Sequence, residues 1–170
     1  AAVLVTVTGP ISSGKSSLLV NVWKQLVHNQ QQQLLVVYGM IQQGVFNNDV
    51  DDNQVKKVGY NMTLIHNDSS RELPFISPNP QFNSSQPISN DNRRWVFDHS
   101  VFDQCVDHFT QIQLTRKSQS NPVVVFIDEI GWKEHEELGH WPLIQSTFNH
   151  HCDETLVYYI VSIRSEIELE

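Results

Sequence analysis

The sequence predicts an α/β fold in three layers: a mostly parallel central sheet, helices on both faces, and an added β-hairpin. Three observations point there. Residues 3–7 (VLVTV) and 123–127 (VVVFI) are short, continuous, β-branched apolar runs, the pattern of strands buried on both faces as in a parallel sheet. The first run is followed by a glycine-bearing loop and then by a segment with helical periodicity. The chain has 170 residues, 39% of them hydrophobic, which suits one domain with its own core.

Composition excludes several classes of function. Nineteen acids against eleven bases give a net charge of −8, whereas proteins that coat nucleic acid or an anionic membrane present a basic face. No apolar run approaches the roughly 18 residues of a membrane span. The opening AAVLVTVT has neither the charged flank nor the cleavage site of a signal peptide. Two cysteines, Cys105 and Cys152, are too few for a disulfide framework. A cytoplasmic protein is expected, without nucleic-acid or membrane partners.

The loop after the first strand carries the strongest signal. Gly9-Pro10-Ile11-Ser12-Ser13-Gly14-Lys15-Ser16 fits G-x-x-x-x-G-K-[ST], and Leu19, Val22, Trp23, Leu26 and Val27 then recur at helical spacing. Strand, glycine loop and helix form the context a phosphate loop needs, and with it a P-loop NTPase fold. Gly9 and Gly14 let the backbone wrap so that its N–H groups face phosphate oxygens. The helix start adds its positive dipole end. Lys15 supplies a cation to the β- and γ-phosphates, Ser16 a hydroxyl to Mg²⁺, and Ser17 completes the nucleotide-binding stretch.

The second buried run, set off by Asn121-Pro122, ends in Asp128-Glu129. Carboxylates at the end of a central strand stand where open α/β sheets place their ligand chemistry. Asp128 is expected to hold Mg²⁺ through water, and Glu129 to orient or deprotonate the attacking water. Asp128-Glu129-Ile130-Gly131 also fits the D-x-x-G of small GTPases, but no N/T-K-x-D stretch follows to specify guanine.

Four glutamines at 30–33 read as a polar helix end or turn. Residues 34–40 (LLVVYGM) form the next strand candidate. Val45-Phe46 and residues 55–66 bracket a turn-rich stretch, predicting a hairpin insertion at about 42–66 with Val58, Tyr60, Met62 and Leu64 alternating. Residues 74–92, rich in Pro, Asn and Ser, predict a long loop that is a lid, a binding loop or a disordered stretch. Arg93 and Arg94 precede a short strand, 95–97. Asp98 then caps a helix with Phe102, Cys105, Val106, Phe109 and Ile112 inward, which makes Cys105 a core thiol. Residues 132–140 read as acidic loop or short helix. Trp141-Pro142 opens a further helix to about 150, and residues 156–163 form a last strand ending in Arg164. Arg164, Arg93 and Arg94 are the candidate cations for the γ-phosphate. His135, His140, His150 and His151 match no zinc spacing.

Taken in order, these residues resemble the cancer-related nucleoside-triphosphatase and its archaeal and bacterial nucleotide-phosphatase relatives. The resemblance rests on GPISSGKSS, on Tyr38-Gly39, on Val58-Gly59-Tyr60, and on the string from Val125 through Asp128-Glu129-Ile130-Gly131 to Glu134. Gly139-His140-Trp141 and the late strand ending in Arg164 extend it. The chain departs from the family at Gln42-Gln43, where an Arg is frequent, at Trp132-Lys133, and in stopping soon after Arg164. The resemblance implies Mg²⁺-dependent hydrolysis of ATP, GTP and other nucleoside triphosphates to diphosphate and phosphate, with little base selectivity. The residues by themselves leave two alternatives open. One is a P-loop kinase with 74–92 as acceptor lid. The other is a partner-gated nucleotide switch, docking through Trp132, Trp141 and the acids at 134–137.

Overall fold

The computed structural model describes residues 1–10, 13–29, 35–48, 55–87, 89, 92–116, 121–130, 141–149 and 156–164. In chain order the elements are β1 (Ala2–Gly9), α1 (Lys15–Asn29), β2 (Val36–Asn48), β3 (Val55–His66), β4 (Ser69–Pro78), β5 (Trp95–Phe97), α2 (Ser100–Arg116), β6 (Val123–Ile130), α3 (Trp141–Asn149) and β7 (Val157–Arg164). The predicted glutamine turn at 30–33 and the segments 132–140 and 150–153 lie outside the described residues.

The seven strands form one sheet in the order β1-β7-β6-β2-β3-β4-β5. The expectation of a mostly parallel sheet needs correction, because the sheet is mixed. Pairings β1–β7, β7–β6 and β6–β2 are parallel; β2–β3, β3–β4 and β4–β5 are antiparallel. The antiparallel half grows out of the core. β2 does not stop near Met40 but continues through Gln42 and Gln43 to Asn48, so the hairpin's first arm is the core strand itself. The chain then returns as β3, and a two-residue connection at Asn67-Asp68 leads into β4. Asn67 takes a left-handed conformation (φ 53°), which Asn tolerates better than most residues. It also ties the hairpin to the core: its N–H donates to Val37 O at 2.6 Å, and its Oδ1 accepts from Val37 N at 3.1 Å.

The expected loop at 74–92 therefore begins later, since residues 74–78 belong to β4. Pro74 falls in a register irregularity of the β3–β4 ladder, and Pro78 ends the strand, so neither removes a needed donor from its middle. The remaining loop is folded around one side chain. Asn92 is 6% exposed, donates from Nδ2 to the carbonyls of Asn83, Gln86 and Pro87, and accepts from Asn83 N at Oδ1.

Alternation along β6 divides the core in two. Val123, Val125 and Ile127 cluster with Val101, Cys105, Phe109 and Ile112 of α2 and Leu143 and Ile144 of α3. Val124 and Phe126 cluster with Leu19 and Trp23 of α1. Each fully enclosed Ile or Phe contributes about 1.5–3 kcal/mol of transfer free energy before entropy is counted. On α2 the inward stripe includes Val101, while Val106, expected inside, is 41% exposed. Asp98 accepts from Ser100 N at 3.0 Å, capping that helix. Cys105 is enclosed as expected, and burial pushes its thiol up to about 12, so it is no nucleophile near neutral pH.

β1 differs from its prediction. Among the described residues it stands at the sheet edge, paired with β7 alone, and Val3, Leu4 and Val5 are 40–55% exposed instead of buried on both faces. Composition announced a strand; it could not announce an edge position.

Candidate active site

The phosphate loop leaves β1 at Gly9, whose register partner on β7 is Arg164. Gly14 has φ +87°, a conformation that costs a side-chain-bearing residue about 1–2 kcal/mol, and an added Cβ there would meet nothing. Its carbonyl accepts from Leu18 N at 2.9 Å, the first turn of α1. Lys15 Nζ donates to Gly9 O and Pro10 O, each at 2.8 Å, so the lysine lies against the loop it follows. Ile11 and Ser12 lie outside the described residues.

Asp128 comes from the other anchor. It is 2% exposed, and both of its carboxylate oxygens are engaged. Oδ2 accepts from the backbone N–H of Gln42 at 3.0 Å, and Oδ1 accepts from the Ser162 hydroxyl. Three neighbouring strands thus fix one carboxylate. The β6–β7 ladder shifts register between Ile127 and Ile130, so Asp128 and Glu129 sit at an irregularity beside the loop.

Loop and carboxylate meet in one cavity of about 460 Å³. Ser13, Gly14, Lys15, Ser16 and Ser17 line it from the loop, and Asp128 and Ser162 from the sheet. The β2–β3 hairpin supplies Gln42, Gly44, Phe46, Lys57 and Tyr60. Of the expected residues, Ser13, Gly14, Lys15, Ser16, Ser17 and Asp128 come together here, while Gly9 and Pro10 are not among the lining residues. Glu129 and Arg164 have described backbones at the ends of β6 and β7, but their side chains lie outside the description. Arg93 and Arg94 are exposed beside the far edge of the sheet, where the Arg94 guanidinium lies 5.4 Å from the Trp95 ring centre. Neither lines the cavity.

Sequence reasoning missed the hairpin wall and Ser162. Ser162 left a signal, the one small polar side chain inside the apolar run of β7, because a polar side chain at a buried strand position needs a partner. The Asp128 donor set suits a Mg²⁺ ion held through water: with both oxygens already accepting, water-mediated contact disturbs the site less than direct ligation.

No protein-family model matches the chain, and no curated protein matches it either. Among solved structures it is similar to the solution structure of a human cancer-related nucleoside triphosphatase. That likeness has a TM-score of 0.63 at 18% identity, covering 98% of this chain and 79% of the other. It also matches the crystal structure of THEP1 from the hyperthermophile Aquifex aeolicus, with a TM-score of 0.44 at 14% identity, covering 95% of this chain and 77% of that one. An α/β chain whose glycine loop and strand-end carboxylate share one cavity thus has the fold of the human cancer-related nucleoside triphosphatase.

Proposed function

We propose that this protein is a Mg²⁺-dependent nucleoside-triphosphate hydrolase with low base selectivity. The observation that carries the reading is the single cavity lined both by Ser13–Ser17 of the phosphate loop and by the enclosed Asp128. The fold shared with a protein named as a nucleoside triphosphatase supports it.

In this reading the loop amides and the N-terminus of α1 hold the phosphate chain. Lys15 exchanges its two loop carbonyls for phosphate oxygens, a stronger pairing because the acceptor is charged. Ser16 and, through water, Asp128 would hold Mg²⁺, which supplies charge neutralisation at the β- and γ-phosphates when bound. Gln42 and Ser162 keep the Asp128 carboxylate fixed and oriented. Glu129, next along β6, takes the proton of the attacking water or orients it, and Arg164 at the end of β7 adds a cation for the developing charge.

The test is phosphate release from ATP, GTP, CTP and UTP with Mg²⁺ and no acceptor, for the parent, Glu129→Gln and Lys15→Ala. Release from all four nucleotides is expected, with Glu129→Gln retaining binding but losing turnover and Lys15→Ala losing binding. Parent-rate hydrolysis by Glu129→Gln would remove its assigned role. Tight binding without release in the parent would move the assignment to a kinase or a partner-gated switch.

A further inference from the structure

Besides Lys15, the cavity has one other cation among its described lining residues, Lys57 of the hairpin. A β-bulge puts it there. On β3, Leu64, Met62 and Tyr60 share a face, and strict alternation would continue through Val58, turning Lys57 to the opposite side. In the ladder, Val45 pairs with Gly59 but Phe46 pairs with Lys57, so Val58 is the extra residue and Lys57 comes round to the face of Tyr60. Gly59, next to the bulge, lets the backbone of β4 approach: a Cβ there would lie 2.5 Å from Ile76 O. Gly44 gives the re-aimed side chain a floor, with Lys57 Cε and the Phe46 ring within 3.2 Å of where its Cβ would stand.

The described partners of the Lys57 ammonium are neutral. Nζ donates to Tyr60 Oη at 3.3 Å and lies 4.7 Å from the Tyr60 ring centre and 5.3 Å from that of Phe46. A cation held by neutral groups on a cavity wall keeps its attraction for an anion. The anion's position follows from β2. Gln42 bonds the carboxylate assigned to the metal, and Gly44 lies two residues on, about 7 Å at strand rise. The hairpin wall therefore begins beside Asp128, the end of the site that meets the outermost phosphate.

We infer that Lys57 binds the terminal phosphate of the nucleotide and so distinguishes triphosphate from diphosphate. This rests on the nucleotide reading above. The test compares affinity for a non-hydrolysable ATP analogue and for ADP, both with Mg²⁺, in the parent, Lys57→Met and Lys57→Arg, beside phosphate release from ATP. Lys57→Met is expected to lose about tenfold in analogue affinity while ADP affinity stays within about twofold, and Lys57→Arg to recover most of the loss. Unchanged analogue affinity in Lys57→Met would overturn the inference. So would an equal loss for both ligands, which would put the contact at the base, ribose or inner phosphates. Because the preference is read without turnover, a parent that favours the analogue through Lys57 yet releases no phosphate would sink the hydrolase reading and leave this one standing.

Discussion

The Ser162 hydroxyl donates to Oδ1 of Asp128, joining β7 to β6 at two side chains that are 0% and 2% exposed. Removing that hydroxyl leaves a buried carboxylate oxygen without its donor, which costs about 1–3 kcal/mol, more where the group is charged. Ser162→Ala should therefore lower the melting temperature. It should also slow phosphate release by about tenfold, because a hydrogen bond that orients Asp128, beside the one from Gln42 N, would then be gone. Nucleotide affinity should change much less, since Ser162 donates to the carboxylate and not to the loop. Parent-like release together with a parent-like melting curve would show that the contact neither orients Asp128 nor stabilises the sheet.

The backbone conformation of Gly14 makes a second expectation. With φ at +87° and open space around it, Gly14→Ala meets no steric neighbour, and its whole cost is the left-handed backbone. An exposed loop relieves that strain by changing conformation, which disperses the amides that would face the phosphates. Nucleotide affinity should fall by about tenfold or more while the melting temperature of the free protein changes by only a few degrees. Titration calorimetry beside thermal unfolding separates the two effects. A variant that melts far below the parent would place the cost in the fold instead of the site.

Much of this was legible because the relevant signals are local. The glycine loop between a β-branched strand and an apolar-periodic helix needs no tertiary information, and neither does the buried run before Asp128. What was not legible depends on neighbours. Whether residues 3–7 stand at an edge or at the centre of a sheet is decided by strand order, which the residues of β1 do not encode. Alternation predicted Val58 and Tyr60 on one face, and a single bulge moved Lys57 there instead. The Pro and Asn content of 74–92 hid a strand at 74–78, because its prolines fall at a ladder irregularity and at the strand's end. Phe46 and Lys57 thus entered the site through pairing register, not through any motif, while Tyr60 stood in the Val58-Gly59-Tyr60 string with no site role attached to it.

His108 supplies a pH dependence. Its Nε2 donates to Ile65 O at 2.9 Å, linking α2 to β3. Burial lowers its pKa below the ordinary 6.5; the Ile65 hydrogen bond opposes this, while nearby His66 and Arg71 push the same way as burial. A histidine whose folded-state pKa is depressed binds its proton more readily when unfolded. Its contribution is fully present above about pH 6.5 and is lost as the pH falls through that value toward the folded-state pKa. Melting temperature should hold steady near pH 7.5 and fall toward about pH 5.5, above the range in which ordinary carboxylates titrate. His108→Gln, which keeps an N–H donor for Ile65 O but cannot take up a proton, should flatten that slope while remaining folded. If the slope of His108→Gln matches the parent's, the pH dependence belongs to other groups and His108 is a neutral strut between α2 and β3.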